Sequence, residues 1–144
     1  SPQPQPTMQL TVYHATRDAM YLVPEIQVVA KNDHPAQTAV ELLLNEPTNK
    51  DLVQVLPKGT KLLKIQVKDH IAYVDFNNKL VKNNTGGSAT EVLIVGAIVN
   101  TLTEFPEIQR VQILVEGKKI ETISGHMDVS EPLSRSEKII KKSL

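Results

Sequence analysis

Residues 86–106, GGSATEVLIVGAIVNTLTEFP, constrain the fold more than any other stretch of this chain. At about 100° per residue, Val92, Ile94, Val95, Ile98, Val99, Leu102 and Phe105 gather on one broad side of a helix. Burying one such side chain is worth roughly 1.5–3 kcal/mol, so this side is expected to pack on a sheet. The opposite side carries Ala89, Leu93, Gly96, Ala97, Asn100 and Glu104, with Thr90, Thr101 and Thr103 beside them. Small residues dominate there and only Glu104 is charged, whereas a solvent face normally carries several lysines and glutamates. Gly96 in mid-helix costs about 1 kcal/mol relative to alanine, so something is expected to approach the backbone closely at that point. Two covers are open: the chain's own tail or N-terminal hairpin, or the surface of another protein. The second gives the sharper expectation, a partner-binding face made of Ala89, Leu93, Gly96, Ala97, Asn100 and Glu104.

The two glycines that open this stretch raise the question of a phosphate cradle. Such a loop needs a lysine after its glycines to reach the outer phosphates. NNTGGSATE has none, and it puts Glu91 in the first helical turn, where a carboxylate repels the anion that a helix terminus attracts. The spacing S-x-x-E instead predicts a capping box, with Ser88 and Glu91 each satisfying a backbone N–H at the helix start. No cofactor is expected.

On either side of that helix, LTVYHAT alternates with Leu10, Val12 and His14 on one face. YLVPEIQVVAK continues the hairpin with Leu22, Ile26 and Val28 on one face. Pro24 cannot donate to a ladder, so this second strand is an edge or is broken there. HPAQTAVELLLNEP reads as a helix, with Pro35 in its first turn, Asp33 or His34 before it, and Ala36, Ala39, Val40 and Leu43 as its apolar stripe. KLLKIQVKDHIAYVDF reads as a hairpin turning at Asp69–His70, with Leu63, Ile65 and Val67 facing Ala72, Val74 and Phe76. RVQILVE places Val111, Ile113 and Val115 inward, and Glu116–Gly117 turns the chain into a short return strand. The predicted fold class is α+β, in the order β-β-α-β-β-α-β-β, with both helices on one face of a single mixed sheet. Residues 1–8 read as a flexible Pro/Gln-rich linker, 9–135 as the domain and 136–144 as a basic tail.

Composition removes several function classes. Lys plus Arg and Asp plus Glu balance at 16 each, and aromatic residues make up 3% of the chain. Neither a phosphate-backbone binder nor a stacking platform is well supplied. There is no cysteine, which excludes thiolate metal sites and cysteine nucleophiles within this sequence. His14, His34, His70 and His126 are scattered, so no metal site is expected. His126, Asp128 and Ser130 alternate in GHMDVSEPL and suggest a small hydrolase. Residues at i, i+2 and i+4 of an extended segment are too far apart for a triad's hydrogen bonds, so ordering of a turn is the better reading. The central α-β-β-α-β order also occurs in one type of KH domain. A nucleic-acid binder of that type would use the one basic stripe, Lys58, Lys61, Lys64 and Lys68, but the clamping GxxG loop is missing.

LPKGTKLLKIQVKDHIAYVDF, TGGSATEVLIVGAIVNTLTEFPEIQRVQILVEG and GHMDVSEPLSR, in that order and spacing, resemble the GerM domain of sporulation and germination lipoproteins. The likeness runs from Leu10 to about Arg135; one departure is Asp69–His70, where Asp–Gly is common. The resemblance implies a non-enzymatic domain of the cell envelope of spore-forming bacteria. It further implies export and anchoring on the outer side of the cytoplasmic membrane through a lipid attached upstream. That side is the intermembrane space of the forespore if the protein is sporulation-specific. The domain is similar to ring-building motif domains, so the implied partner is another envelope protein or a second copy of the chain, with no nucleic acid.

Overall fold

The alternation in LTVYHAT forms strand β1, Thr7–Thr16, which pairs antiparallel with β2, Leu22–Ala30. This computed structural model describes residues 3–144. Helix α1 follows over Pro35–Leu43, then a two-residue strand β3 at Leu52–Val53. Strands β4, Leu62–Lys68, and β5, Ile71–Phe76, form the second hairpin. A single turn α2, Lys79–Lys82, precedes the long helix α3, Ser88–Leu102. Strand β6 is Arg110–Val115, followed by short strands β7, Lys118–Lys119, and β8, Leu133–Ser134.

The α+β class is as expected, but the single sheet is not. There are two sheets: one in the order β2-β1-β3, the other in the order β4-β5-β6-β7 with β8 also on β6. Strand β1 pairs along one edge with β2 and, at its last two residues Ala15 and Thr16, with β3 on the other, and it does not pair with β4. Helices α1 and α3 touch each other, and each touches strands of both sheets. The core is therefore continuous: Val12 and Ala15, Val40 and Leu43, Val74 and Phe76, and Val111 and Ile113 all join the buried side chains of α3.

Local chemistry accounts for the turns. Asp69 and His70 adopt φ of 52° and 65°, and Glu116 and Gly117 adopt 50° and 79°. Two successive left-handed residues are what a two-residue hairpin needs, because that turn matches the twist of its strands. The second hairpin departs from simple alternation. A bulge falls between Leu62 and Lys64, so Leu62 rather than Leu63 lies opposite Phe76, and Leu63 turns outward. An extra residue in one strand reverses the facing of everything before it.

The expected boundaries also shift. The first strand begins at Thr7, inside the expected linker, and Ser1 and Pro2 lie outside the described residues. The basic tail does not trail away. Leu22 N–H donates to Ile139 O at 2.7 Å, Lys141 N–H donates to Leu22 O at 2.8 Å, and Ile140 bridges Leu22 in parallel.

Candidate functional site

Helix α3 and the segments that close over it hold most of the residues singled out in the sequence. The expected free face is not free. Leu93 is 2% exposed, Gly96 is buried, and Ala97 and Asn100 are fully buried; Ala89 and Glu104 alone of the six are exposed. The cover is the chain's own residues 133–141. A Cβ on Gly96 would come within 2.2 Å of Ile139 Cδ1 and 3.1 Å of Leu22 Cδ1, so the missing side chain is the seat of Ile139. Asn100 clamps the same segment with both ends of its amide: Nδ2 donates to Ser136 O and Oδ1 accepts from Ser136 N–H, each at 3.0 Å. A helix without a charged stripe is a buried helix, and with the strap in place every residue from Leu93 to Leu102 is buried, although Val92, expected inward, is 37% exposed.

Arg135 fastens the start of that strap. Its Nη1 donates to Asn100 O at 2.8 Å and to Thr103 Oγ1 at 3.2 Å; its Nη2 donates to Glu104 Oε2 at 2.8 Å and to the Tyr13 hydroxyl. The guanidinium also sits over the Tyr13 ring, 5.2 Å from its centroid. Tyr13 donates in turn to Glu104 Oε2 at 2.7 Å. Burial, followed by that bond to a carboxylate, pushes the Tyr13 hydroxyl up to about 12. Glu104, expected to meet a partner protein, is thus engaged within the chain.

The capping box is also overturned. The residue before α3 is Gly87, and no side chain caps the helix. Glu91 is fully buried and faces away from Ser88. Its Oε2 accepts from the backbone N–H of Ile123 at 2.8 Å and of Ser124 at 2.6 Å, and its Oε1 accepts from His126 and Met127, both at 2.8 Å. Burial alone would raise this carboxyl; the N–H groups of Ser124, Met127, His126 and Ile123 outweigh it and hold it below the usual range. A capping box would offer this carboxylate one N–H at the helix start, whereas the buried loop offers it four charge-assisted bonds.

In the same loop, Asp128 Oδ1 accepts from Ser130 Oγ at 2.6 Å and from Ser130 N–H at 2.9 Å. These bonds hold a turn, and the serine hydroxyl is directed to the carboxylate rather than to His126. The hydrolase reading loses its nucleophile and base pair. Among the described residues, no three His, Cys, Asp or Glu side chains gather closely enough to hold a metal ion.

A second buried ionisable group lies on β1. His14 is fully buried, with Nδ1 3.6 Å from Glu25 Oε1 and Nε2 3.3 Å from Asn45 O. Burial lowers its pKa below 6.5 although Glu25, Asn45 and Glu46 all pull the other way. The unfolded chain therefore binds the extra proton first, and stability falls as pH drops from about 6.5 toward the folded value. Urea midpoints measured between pH 7.5 and 5.5 are expected to fall in the native protein, with a slope of up to about 1.4 kcal/mol per pH unit. The slope should flatten in His14→Leu; an unchanged slope would place the titrating group elsewhere.

Sequence reasoning missed the apolar residues that do reach solvent. Ile26 is 64% exposed and Val28 61% exposed on edge strand β2, while Leu63 and Val67 project from edge strand β4. Leu22, Ile26 and Val28 share a face as expected, but only Leu22 lies under the strap. Pro24 had already marked this strand as an edge, and that was the usable signal.

The profile of the Germane family, described as sporulation and spore germination, matches residues 11–121. The chain belongs to the Germane family. No curated protein matches the sequence. The Germane domain here is similar to the first GerMN domain of the sporulation protein GerM from Bacillus subtilis, with a TM-score of 0.76 and 23% identity, over 89% of this chain and 98% of that one. It is also similar to the tandem GerMN domains of the same protein, with a TM-score of 0.77 and 23% identity. That match covers 90% of this chain but 46% of the tandem, so the chain spans about half its length. A Clostridium perfringens chain provisionally described as a lipoprotein aligns with a TM-score of 0.63 and 26% identity, over 93% of each chain. At these identities the GerMN structures establish the Germane fold, and the family match places the domain in sporulation and germination.

Proposed function

We propose that this Germane domain is a non-catalytic assembly module of the bacterial cell envelope, working through protein–protein contact. One observation carries the reading. The exposed apolar side chains of its strands lie on the two edge strands, Ile26 and Val28 on β2 and Leu63 and Val67 on β4. Sheet edges with apolar flanks are the places where one chain adds to another. The ionisable groups that a catalyst would use are meanwhile engaged by the protein itself: Glu91 by four backbone N–H groups, Arg135 by Tyr13 and Glu104, and His14 beside Glu25. An exported, lipid-anchored location is part of this reading, supported by the lipoprotein description of the Clostridium perfringens relative. No described helix is long and apolar enough to cross a membrane by itself. The likeness to ring-building domains belongs here too, supported by the succession of α1, β4, β5, α3 and β6, interrupted by the two-residue β3 and the single-turn α2, with β5 and β6 parallel.

Photocrosslinkable residues placed at positions 26, 28, 63 and 67 of the full protein in cells test this. Covalent protein adducts confined to the envelope fraction, and absent when the probe sits at Glu121 on the closing loop, are expected. Adduct-free lanes at all four positions would overturn the reading. So would salt-sensitive RNA binding by the purified chain that disappears in Lys61→Glu/Lys64→Glu.

A further inference from the structure

Strand β2 has one edge on β1 and the other open. Which backbone groups face the open side follows from the strap: Leu22 N–H and C=O point outward, because they bond Ile139 and Lys141. Alternate residues share that direction in a strand, so Pro24, Ile26, Val28 and Ala30 also face outward. The strap occupies the edge at Leu22, and the strand ends at Ala30. What remains open is Pro24–Ala30, a stretch symmetric about Gln27.

We infer that this stretch pairs with the same stretch of a second copy of the chain, antiparallel and centred on Gln27, joining the two three-stranded sheets into one. The inference rests on the assembly reading and names its surface and partner. In this register, Ile26 of each copy lies opposite Val28 of the other, and the two exchange N–H and C=O bonds. Ala30 N–H reaches the carbonyl of Pro24 in the second copy, which has no N–H to return, so proline marks the outer limit of pairing. Side chains that stand exposed in the single chain come together as an apolar cluster across the axis, the unit that stabilises a sheet.

Charge selects a second copy here and rejects one at the other edge. The stretch carries one charged residue, Glu25, which in this register lies opposite Val29 of the second copy and not opposite its own counterpart, so two copies meet without like charges facing. The edge at β4 carries Lys61, Lys64 and Lys68, which blunt self-pairing. A second domain of this fold is also a neighbour known from structure, since the Bacillus subtilis GerM chain holds two in tandem. Seven residues of strand make a small interface. Association is therefore expected to be weak in dilute solution and to strengthen where anchoring or tandem linkage raises the local concentration.

The absence of cysteine from the chain supplies a sharp test. In the stated register the two Gln27 residues form a non-hydrogen-bonded pair with Cα atoms about 4.5 Å apart, within disulfide range. Under mild oxidation at high protein concentration, Gln27→Cys is expected to give a covalent dimer and Gln66→Cys on β4 none. Sedimentation of the native chain is expected to show a concentration-dependent dimer that weakens at least tenfold in Ile26→Lys and in Val28→Lys. Both residues are more than half exposed, and circular dichroism verifies that the variants fold. A native chain that stays monomeric at millimolar concentration would overturn the inference, as would dimers untouched by either lysine or crosslinking at position 66 instead of 27. Crosslinks in cells from positions 26 and 28 to a different envelope protein only would also overturn it, while leaving the assembly reading standing.

Discussion

Glu91→Ala is expected to remove about 4 kcal/mol or more of folding stability, a large share of the roughly 5–15 kcal/mol typical of a domain. Four backbone N–H groups, those of Ile123, Ser124, His126 and Met127, lose their acceptor at once. Each buried donor left without a partner costs about 1–3 kcal/mol. The sum is not reached, because part of the loop opens to water. In urea the midpoint should fall by more than about 1 M at ordinary slopes, and protease cleavage should appear between residues 122 and 128. Ser88→Ala is the control. A capping box would lose about 1 kcal/mol from either side, whereas here Ser88 makes no cap bond and its replacement should be nearly silent. Equal small losses in the two variants would show that the loop does not depend on the carboxylate. The pH sense follows from the lowered pKa: the contribution is complete above the ordinary value of 4.5 and is lost as pH falls through the lower folded value.

The contrast between Ser88 and Glu91 shows what the sequence could and could not reveal. S-x-x-E is a local pattern, and local patterns speak only of near neighbours. The true partners of Glu91 lie 32 to 36 residues away, beyond the reach of any spacing rule. A better signal was present: a glutamate flanked by Val92 to Val99 in a helix without a charged face will be buried, and a buried carboxylate must find donors. The same limit explains the sheets. Strands with several turns of alternation, β1, β2, β5 and β6, were legible with their facing, because periodicity accumulates over length. Strands β3 and β8 have two residues each, too few for any period; β7 is as short, and was legible only through the Glu116–Gly117 turn before it.

Burial on β2 was misjudged for a related reason. Alternation tells which residues share a face, not whether anything covers that face. Leu22 and Ile26 point the same way; the strap reaches one and stops short of the other. The chain's own tail was one of the two covers left open by the sequence, but nothing in the polar, basic SRSEKIIKKSL decided for it, because its hold depends on Ile139 fitting the gap at Gly96 and on Asn100 meeting Ser136. Gly96 did announce that something comes close. Only the identity of the visitor was beyond the sequence.

That visitor decides the second large effect. Leu93→Glu and Gly96→Glu are expected to unfold or loosen the monomer rather than leave a soluble fold with a spoiled binding face. Leu93 belongs to the core at 2% exposure. Truncating a buried leucine costs about 2–5 kcal/mol, and a carboxylate in its place adds an unpaired buried charge, so little stability should remain. At Gly96 the outcome is more local. A methyl group would push against the flexible tip of Ile139 while gaining about 1 kcal/mol of helix propensity, so Gly96→Ala should change stability little. A glutamate is too large for that accommodation and must lift residues 136–141 from the helix. Lifting them breaks the bonds of Leu22 N–H and C=O to Ile139 and Lys141, and frees the backbone around Lys138 and Lys141, whose side chains already face solvent, to enter a protease. Trypsin should then remove the C-terminal residues of Gly96→Glu well before the native protein is touched, with a lowered melting temperature, while Gly96→Ala resists like the native chain. A Gly96→Glu protein with native melting and a protected C-terminus would mean that the strap is not what covers this helix.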